Sequence, residues 1–158
     1  YSIKPDIMTS AKPIAAGLPL GAVLMTDDVA KNIKPGDHGT TFGGGPIVSA
    51  VAKDVLSRIL DPGLLKNVNE MGAYFVEKLR ELEARMSQIT EVRGKGLMLA
   101  ISLSVDPKNV ISACADTGLL VCKTGSDSIR FLPPLNVTKE QINEAVQKLH
   151  NALSQIGE

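Results

Sequence analysis

The stretch Pro62-Gly63-Leu64-Leu65-Lys66-Asn67-Val68-Asn69-Glu70-Met71-Gly72-Ala73-Tyr74-Phe75-Val76-Glu77-Lys78-Leu79-Arg80-Glu81-Leu82-Glu83-Ala84-Arg85-Met86 decides how the rest of the sequence is read. Leu65, Val68, Met71, Phe75, Leu79, Leu82 and Met86 recur at steps of three and four, which predicts one long helix with a single apolar stripe. Such a stripe needs a sheet to cover. The residues that follow supply it: Val92, Leu97, Leu99, Ile101 and Leu103 predict two short strands around Gly94-Lys95-Gly96. Alternation in the second puts Leu97, Leu99, Ile101 and Leu103 on one face, leaving the other face less covered. Asp106-Pro107 then opens a helix over Val110, Ile111 and Cys114 that ends before Gly118, and Leu119 to Cys122 and Ile129 to Phe131 read as strands. Thr138 with Gln141 forms a capping box for a last helix carrying Ile142, Val146, Leu149 and Leu153. The order α-β-β-α-β-β-α describes a small α/β domain with a mostly antiparallel sheet.

Working toward the N-terminus, the pattern changes near residue 61. Residues 10 to 21 are rich in Gly, Pro and small side chains, and Ala22 to Met25 read as a buried strand. Thr26-Asp27-Asp28 is expected to cap a short helix over Val29 to Ile33 that Pro35-Gly36 stops, and a Gly-rich loop over 37 to 45 leads to Pro46, a favoured first helical position. Val48, Val51, Val55 and Ile59 keep helical spacing up to the break at Asp61-Pro62-Gly63. The expected division is therefore 1–60 and 61–158. Tyr1 to Ile7 runs directly into an expected strand, so the chain is expected to be a piece of a larger protein.

Composition excludes several classes. The 158 residues are 44% hydrophobic and 22% charged, with 17 basic against 17 acidic residues. A globular chain of this size buries roughly 70% of its unfolded surface without disulfides or a metal. Zero net charge lacks the basic excess that nucleic-acid binding requires, and the apolar runs are broken long before the ~20 residues of a membrane span. Cys114 and Cys122 have no partners at metal-ligand spacing and read as two reduced thiols, one in a helix and one in a strand. A soluble protein with neither nucleic acid, membrane nor metal as partner is expected.

Two residues bear chemistry on their own account. Lys12 ends an apolar segment and precedes Pro13 and a punctuated loop. A desolvated lysine loses its charge, and a neutral amine attacks aldehydes to form a Schiff base, while Pro13 turns Lys12 away from helical geometry. From the residues alone, a solvated lysine at a loop edge is the more common outcome. Arg130, in a short apolar strand before Pro133-Pro134, fits either a carboxylate ligand or an internal salt bridge.

Ser10-Ala11-Lys12-Pro13-Ile14-Ala15-Ala16-Gly17-Leu18-Pro19-Leu20-Gly21-Ala22 resembles the cofactor-lysine segment of the class III, ornithine-type, aminotransferases. His38-Gly39-Thr40-Thr41-Phe42-Gly43-Gly44-Gly45-Pro46 resembles the family's second signature, although the family more often has Asn where Gly45 stands. Val92 to Met98 and Ile129 to Leu135 resemble two segments of its C-terminal domain. Four matches in family order cover nearly the whole chain, and their combination is most similar to the acetylornithine-type members.

The resemblance implies the C-terminal part of a fold type I transferase that depends on pyridoxal 5'-phosphate: the end of the large domain with a linker helix, then the whole small domain. It implies Lys12 as the lysine that carries the cofactor and then moves the substrate proton. It also implies Thr41 as a ligand of the cofactor phosphate across a dimer interface, Thr40 beside the substrate and Arg130 on a substrate carboxylate. His38 and Arg93 read as structural. The implied reaction converts N-acetylornithine and 2-oxoglutarate to N-acetylglutamate semialdehyde and glutamate, a step of arginine biosynthesis, in a cytoplasmic homodimer with its site at the subunit interface. Ornithine or 4-aminobutyrate as donor, or a noncatalytic assembly module, are the alternatives. The family's aspartate for the pyridinium nitrogen, its phosphate cup, its ring-stacking aromatic and a further substrate arginine have no counterpart here, so the chain alone is expected to be inactive.

Overall fold

The computed structural model describes residues 2–156, and Tyr1, at the head of the expected run into the first strand, lies outside them, as do the last two residues of the second expected domain. The chain divides into two units, Tyr1–Asp61 and Pro62–Glu158.

The second unit is built on the long helix. Helix α3 (Pro62–Glu83) is followed by strands β3 (Ile89–Lys95) and β4 (Met98–Leu103), helix α4 (Pro107–Asp116), strands β5 (Cys122–Thr124) and β6 (Ser128–Phe131), and helix α5 (Lys139–Ile156). All neighbours in the sheet, in the order β3-β4-β6-β5, are antiparallel. Leu97, Leu99, Ile101 and Leu103 are all buried, in one cluster with Met71, Phe75, Leu79 and Leu82 of α3, Val110 and Cys114 of α4, and Ile142, Leu149 and Leu153 of α5. Three helices thus cover one face of the sheet, as the alternation in β4 requires. Phe75 meets Phe131 edge to face with centroids 5.3 Å apart.

Local signals set the boundaries. The Asp106 carboxylate accepts from the backbone N–H of Lys108, and the Thr138–Gln141 box closes reciprocally, with Thr138 N–H donating to Gln141 Oε1 at 3.0 Å. Helix α4 ends on Gly118 at φ +77, where Leu119 N–H reaches back to the Cys114 carbonyl. Leu119 to Val121 were expected in a strand but lie outside it, because that helix-ending turn takes them and pairing with β6 begins at Cys122. Likewise the long helix starts at Pro62 itself, a residue tolerated in a first turn.

In the first unit, β1 (Ile7–Ser10) pairs antiparallel with β2 (Ala22–Met25), followed by α1 (Asp27–Ala30) and α2 (Pro46–Ile59); α1 takes in Asp27 and Asp28 and ends before Ile33, rather than running from Val29 to Ile33, and the Thr26 side chain makes no capping bond. The register places Ile7 and Thr9 with Met25 and Val23 on one face, and Met8 and Ser10 with Leu24 and Ala22 on the other. The expectation that β2 is buried fails: Val23 is 58% exposed on one face and Leu24 50% on the other. Its apolar composition is that of a strand with covering layers on both faces, which the residues of this unit do not provide. Among the described residues of this unit the buried apolar ones are Ile14, Ala15 and Ala52, where a short turn packs on α2.

Helix α3 meets the β3–β4 turn at Gly72. A β-carbon there would stand 2.3 Å from the Gly96 carbonyl oxygen, and both groups are backbone, so neither can swing aside. Gly72→Ala is expected to lower stability by about 1–3 kcal/mol, read as a lower urea midpoint at unchanged m-value. An unchanged midpoint would show that the helix does not approach the turn this closely.

Candidate functional site

Lys12 follows β1 through Ala11, which is extended, and opens a single 3₁₀ turn over Lys12–Ala15. Ile14 and Ala15 anchor that turn in the first unit's small core, and Ala16 N–H closes it on the Pro13 carbonyl at 2.9 Å. Lys12 itself adopts φ +60. A residue before proline favours extended backbone, and a left-handed L-residue costs roughly 1–2 kcal/mol. The backbone is thus strained at the one lysine the sequence singles out, with Ala16 at φ 51 four residues on. The side chain is exposed within this chain; the expected apolar surround is not supplied by residues 2–156.

Thr40 and Thr41 lie in an exposed loop ahead of α2. Gly45 N–H donates to the Phe42 carbonyl at 3.2 Å, and Gly45 and Pro46 then start the helix. A β-carbon at Gly43 would stand 2.1 Å from Thr40 Cγ2, so Gly43 is what lets the Thr40 side chain lie across the turn. Neither threonine hydroxyl makes a hydrogen bond among the described residues. Phe42 between these elements is 90% exposed. His38 is exposed in the same loop. No hydrogen bond joins Lys12 to either threonine among the described residues.

Arg130 belongs to the second unit. The register aligns Arg93, Ala100, Arg130 and Cys122 in one row across β3, β4, β6 and β5, on the face away from the helices. The next row on that face is Glu91, Ser102, Ser128 and Thr124. The two arginines are treated differently. Arg93 Nη1 donates to Glu91 Oε2 at 2.7 Å and to Ser102 Oγ, and Nη2 donates to Ser128 Oγ at 2.8 Å. Arg130 makes no ion pair among the described residues, and its Nε is inaccessible and without a hydrogen-bond partner. The internal salt bridge open at the sequence level is therefore taken by Arg93 rather than by Arg130. A buried unmatched donor costs about 1–3 kcal/mol, and Nε is one arm of the fork with which guanidinium grips a carboxylate. The sequence reading missed the serines that hold Arg93; the polar side of the β4 alternation, Ala100 and Ser102, was the available signal.

A family model described as aminotransferase class-III matches residues 1–153. The chain belongs to the class-III aminotransferases. It is 46% identical over 155 residues to a protein of Dictyostelium discoideum named as a probable mitochondrial acetylornithine aminotransferase, covering 97% of this chain and 34% of that relative. A mitochondrial acetylornithine aminotransferase of Alnus glutinosa is also 46% identical, with the same coverage. Among solved structures, the acetylornithine aminotransferase of Elizabethkingia anophelis superposes with a TM-score of 0.88 at 34% identity, covering 97% of this chain and 42% of that one. The chain thus spans about a third of the length of these curated relatives. Its α/β fold, with antiparallel sheets, is that of the C-terminal portion of such enzymes. No helix among the described residues is long and apolar enough to cross a membrane, and none of them form a metal-ligating cluster.

Cys122 shares the Arg130 row and is exposed, whereas Cys114 is buried in α4. Burial pushes the Cys114 thiol up from 9.0 to about 11. In the folded chain only Cys122 should react with Ellman's reagent at pH 8, both reacting after denaturation. Because the folded thiol holds its proton more tightly, the Cys114 contribution to stability is complete below pH 9 and is lost as pH rises toward 11. Native labelling of Cys114 at a rate comparable with Cys122 would contradict this placement.

Proposed function

We propose that this chain is the C-terminal portion of a pyridoxal-phosphate-dependent enzyme that transfers an amino group from N-acetylornithine to 2-oxoglutarate, and that residues 1–60 close its large domain while 61–158 form its small domain. The observation that carries the reading is the backbone at Lys12. Strain at a single non-glycine residue persists only where surrounding structure imposes it, and here it aims an amine from a turn anchored by Ile14 and Ala15. The acetylornithine donor rests on the names of the relatives that are 46% identical.

The residues present suit the cofactor. Lys12 offers a primary amine on a fixed backbone, and Thr41 offers a hydroxyl without a partner among the described residues, beside a Gly-rich turn at the start of α2. Pyridoxal phosphate, when bound, supplies the electron sink for chemistry at the substrate carbon. In this reading Lys12 Nζ accepts the proton from that carbon and returns it. Thr41 Oγ1 donates to the phosphate from across a homodimer interface, Thr40 bounds the substrate, and the Arg130 fork turns a substrate carboxylate into a fixed orientation. A cytoplasmic homodimer belongs to the same proposal, although the two relatives above carry mitochondrial names.

Incubating the protein with pyridoxal phosphate, reducing with borohydride and mapping peptides should place the cofactor mass on Lys12 and not on the other lysines. In the enzyme containing this chain, Lys12→Ala should reduce turnover by orders of magnitude with the fold intact, since it removes both the amine and the proton carrier. Random labelling of surface lysines, or near-normal turnover in Lys12→Ala, would overturn the assignment.

A further inference from the structure

We propose that Arg93 is a positioning residue for Arg130: its fork ties β3, β4 and β6 together on the outer face of the sheet, and so fixes the strand from which Arg130 meets a carboxylate. The proposal rests on the reading of Arg130 given above. One guanidinium spans three strands, from its own position on β3 to Ser102 on β4 and Ser128 on β6. Both hydroxyls are buried, Ser128 completely, and lie 3.2 Å from each other; Ser128 Oγ also donates to Asp127 Oδ1 at 2.7 Å. Ser128 and Arg130 are alternate residues of β6 and share the outer face, so a constraint on the first sets the direction of the second.

Two further features separate the arginines. Ala100 stands between them in the row, holding them two strand spacings, about 10 Å, apart with only a methyl group intervening. Glu91 supplies Arg93 with its own carboxylate, so Arg93 is matched inside the chain while the Nε of Arg130 is not. Of the two arginines in this row, Arg130 is therefore the one left without a carboxylate among the described residues.

The test uses the full chain with 15N-labelled arginine side chains, titrated with 2-oxoglutarate and followed by NMR. In the wild type the Nε–Hε resonance of Arg130 should shift and that of Arg93 should not. Arg93→Lys keeps the charge but cannot bridge both serines, and should weaken binding about tenfold, the scale on which coupled hydrogen-bond networks respond. The backbone amides of Leu99, Ile101 and Ile129 should keep their positions. Ser128→Ala, which retains Arg93, should weaken binding in the same direction and serves if the lysine variant disturbs the sheet. Unchanged affinity in both variants, with Arg130 still responding, would overturn the positioning role alone. No response of Arg130 in the wild type would overturn the carboxylate reading, and the positioning role with it.

Discussion

The approach of Gly72 to Gly96 is the constraint on which the second unit depends. Helix α3 can lay Met71, Phe75, Leu79 and Leu82 over Leu97, Leu99 and Ile101 only because no side chain separates helix backbone from the β3–β4 turn. With α3 seated, β4 has one dry face. Its other face carries Met98, Ala100 and Ser102, and the antiparallel register joins that face to Arg93 on β3 and to Ser128 and Arg130 on β6. A close packing contact in the interior thereby determines which residues stand together on the outer face.

The first unit is organised on the opposite principle. Its chemistry-bearing residues sit on backbone that is strained at Lys12 and in an exposed threonine loop, while its buried apolar side chains are few. Strain of this kind has to be offset by contacts, and Ile14, Ala15 and Ala52 are a small set to offset it. Apolar residues exposed on both faces of β1–β2 agree with a chain that spans about a third of its relatives' length. The second unit carries its own core and the first carries most of the proposed chemistry.

Much of the fold was legible because its signals are local. The 3.6-residue stripe of α3 from Met71 to Leu82, the alternation in β4, the Asp106 cap and the Thr138–Gln141 box each act over a few residues and match the structure, whereas the ends of the expected stripe do not: Leu65 is exposed and Met86 lies beyond the end of the helix. What was not legible depended on distant partners. Val23 and Leu24 read as buried because composition reports the environment a strand is suited to, not whether the covering layers lie within the chain. Leu119 to Val121 have strand-like composition but are claimed by the turn that ends α4. At Arg130 the sequence left ligand and salt bridge equally open, and only the register, which delivers Ser102 and Ser128 to Arg93, shows which arginine is internally matched. The strain at Lys12 has no sequence signature beyond Pro13; the family resemblance, not the local pattern, raised that lysine above an ordinary loop residue.

The central claim, a self-sufficient second unit joined to a first whose site-bearing loops have little core of their own, is tested most directly by native-state hydrogen exchange on the chain as a monomer without cofactor. The account predicts fast exchange across residues 8 to 46, and slow exchange in α3 from Leu65 onward and in β4 and β6, where buried apolar contact is dense. Uniformly high protection over residues 8 to 46 would contradict it, showing that the first unit holds its strained backbone unaided.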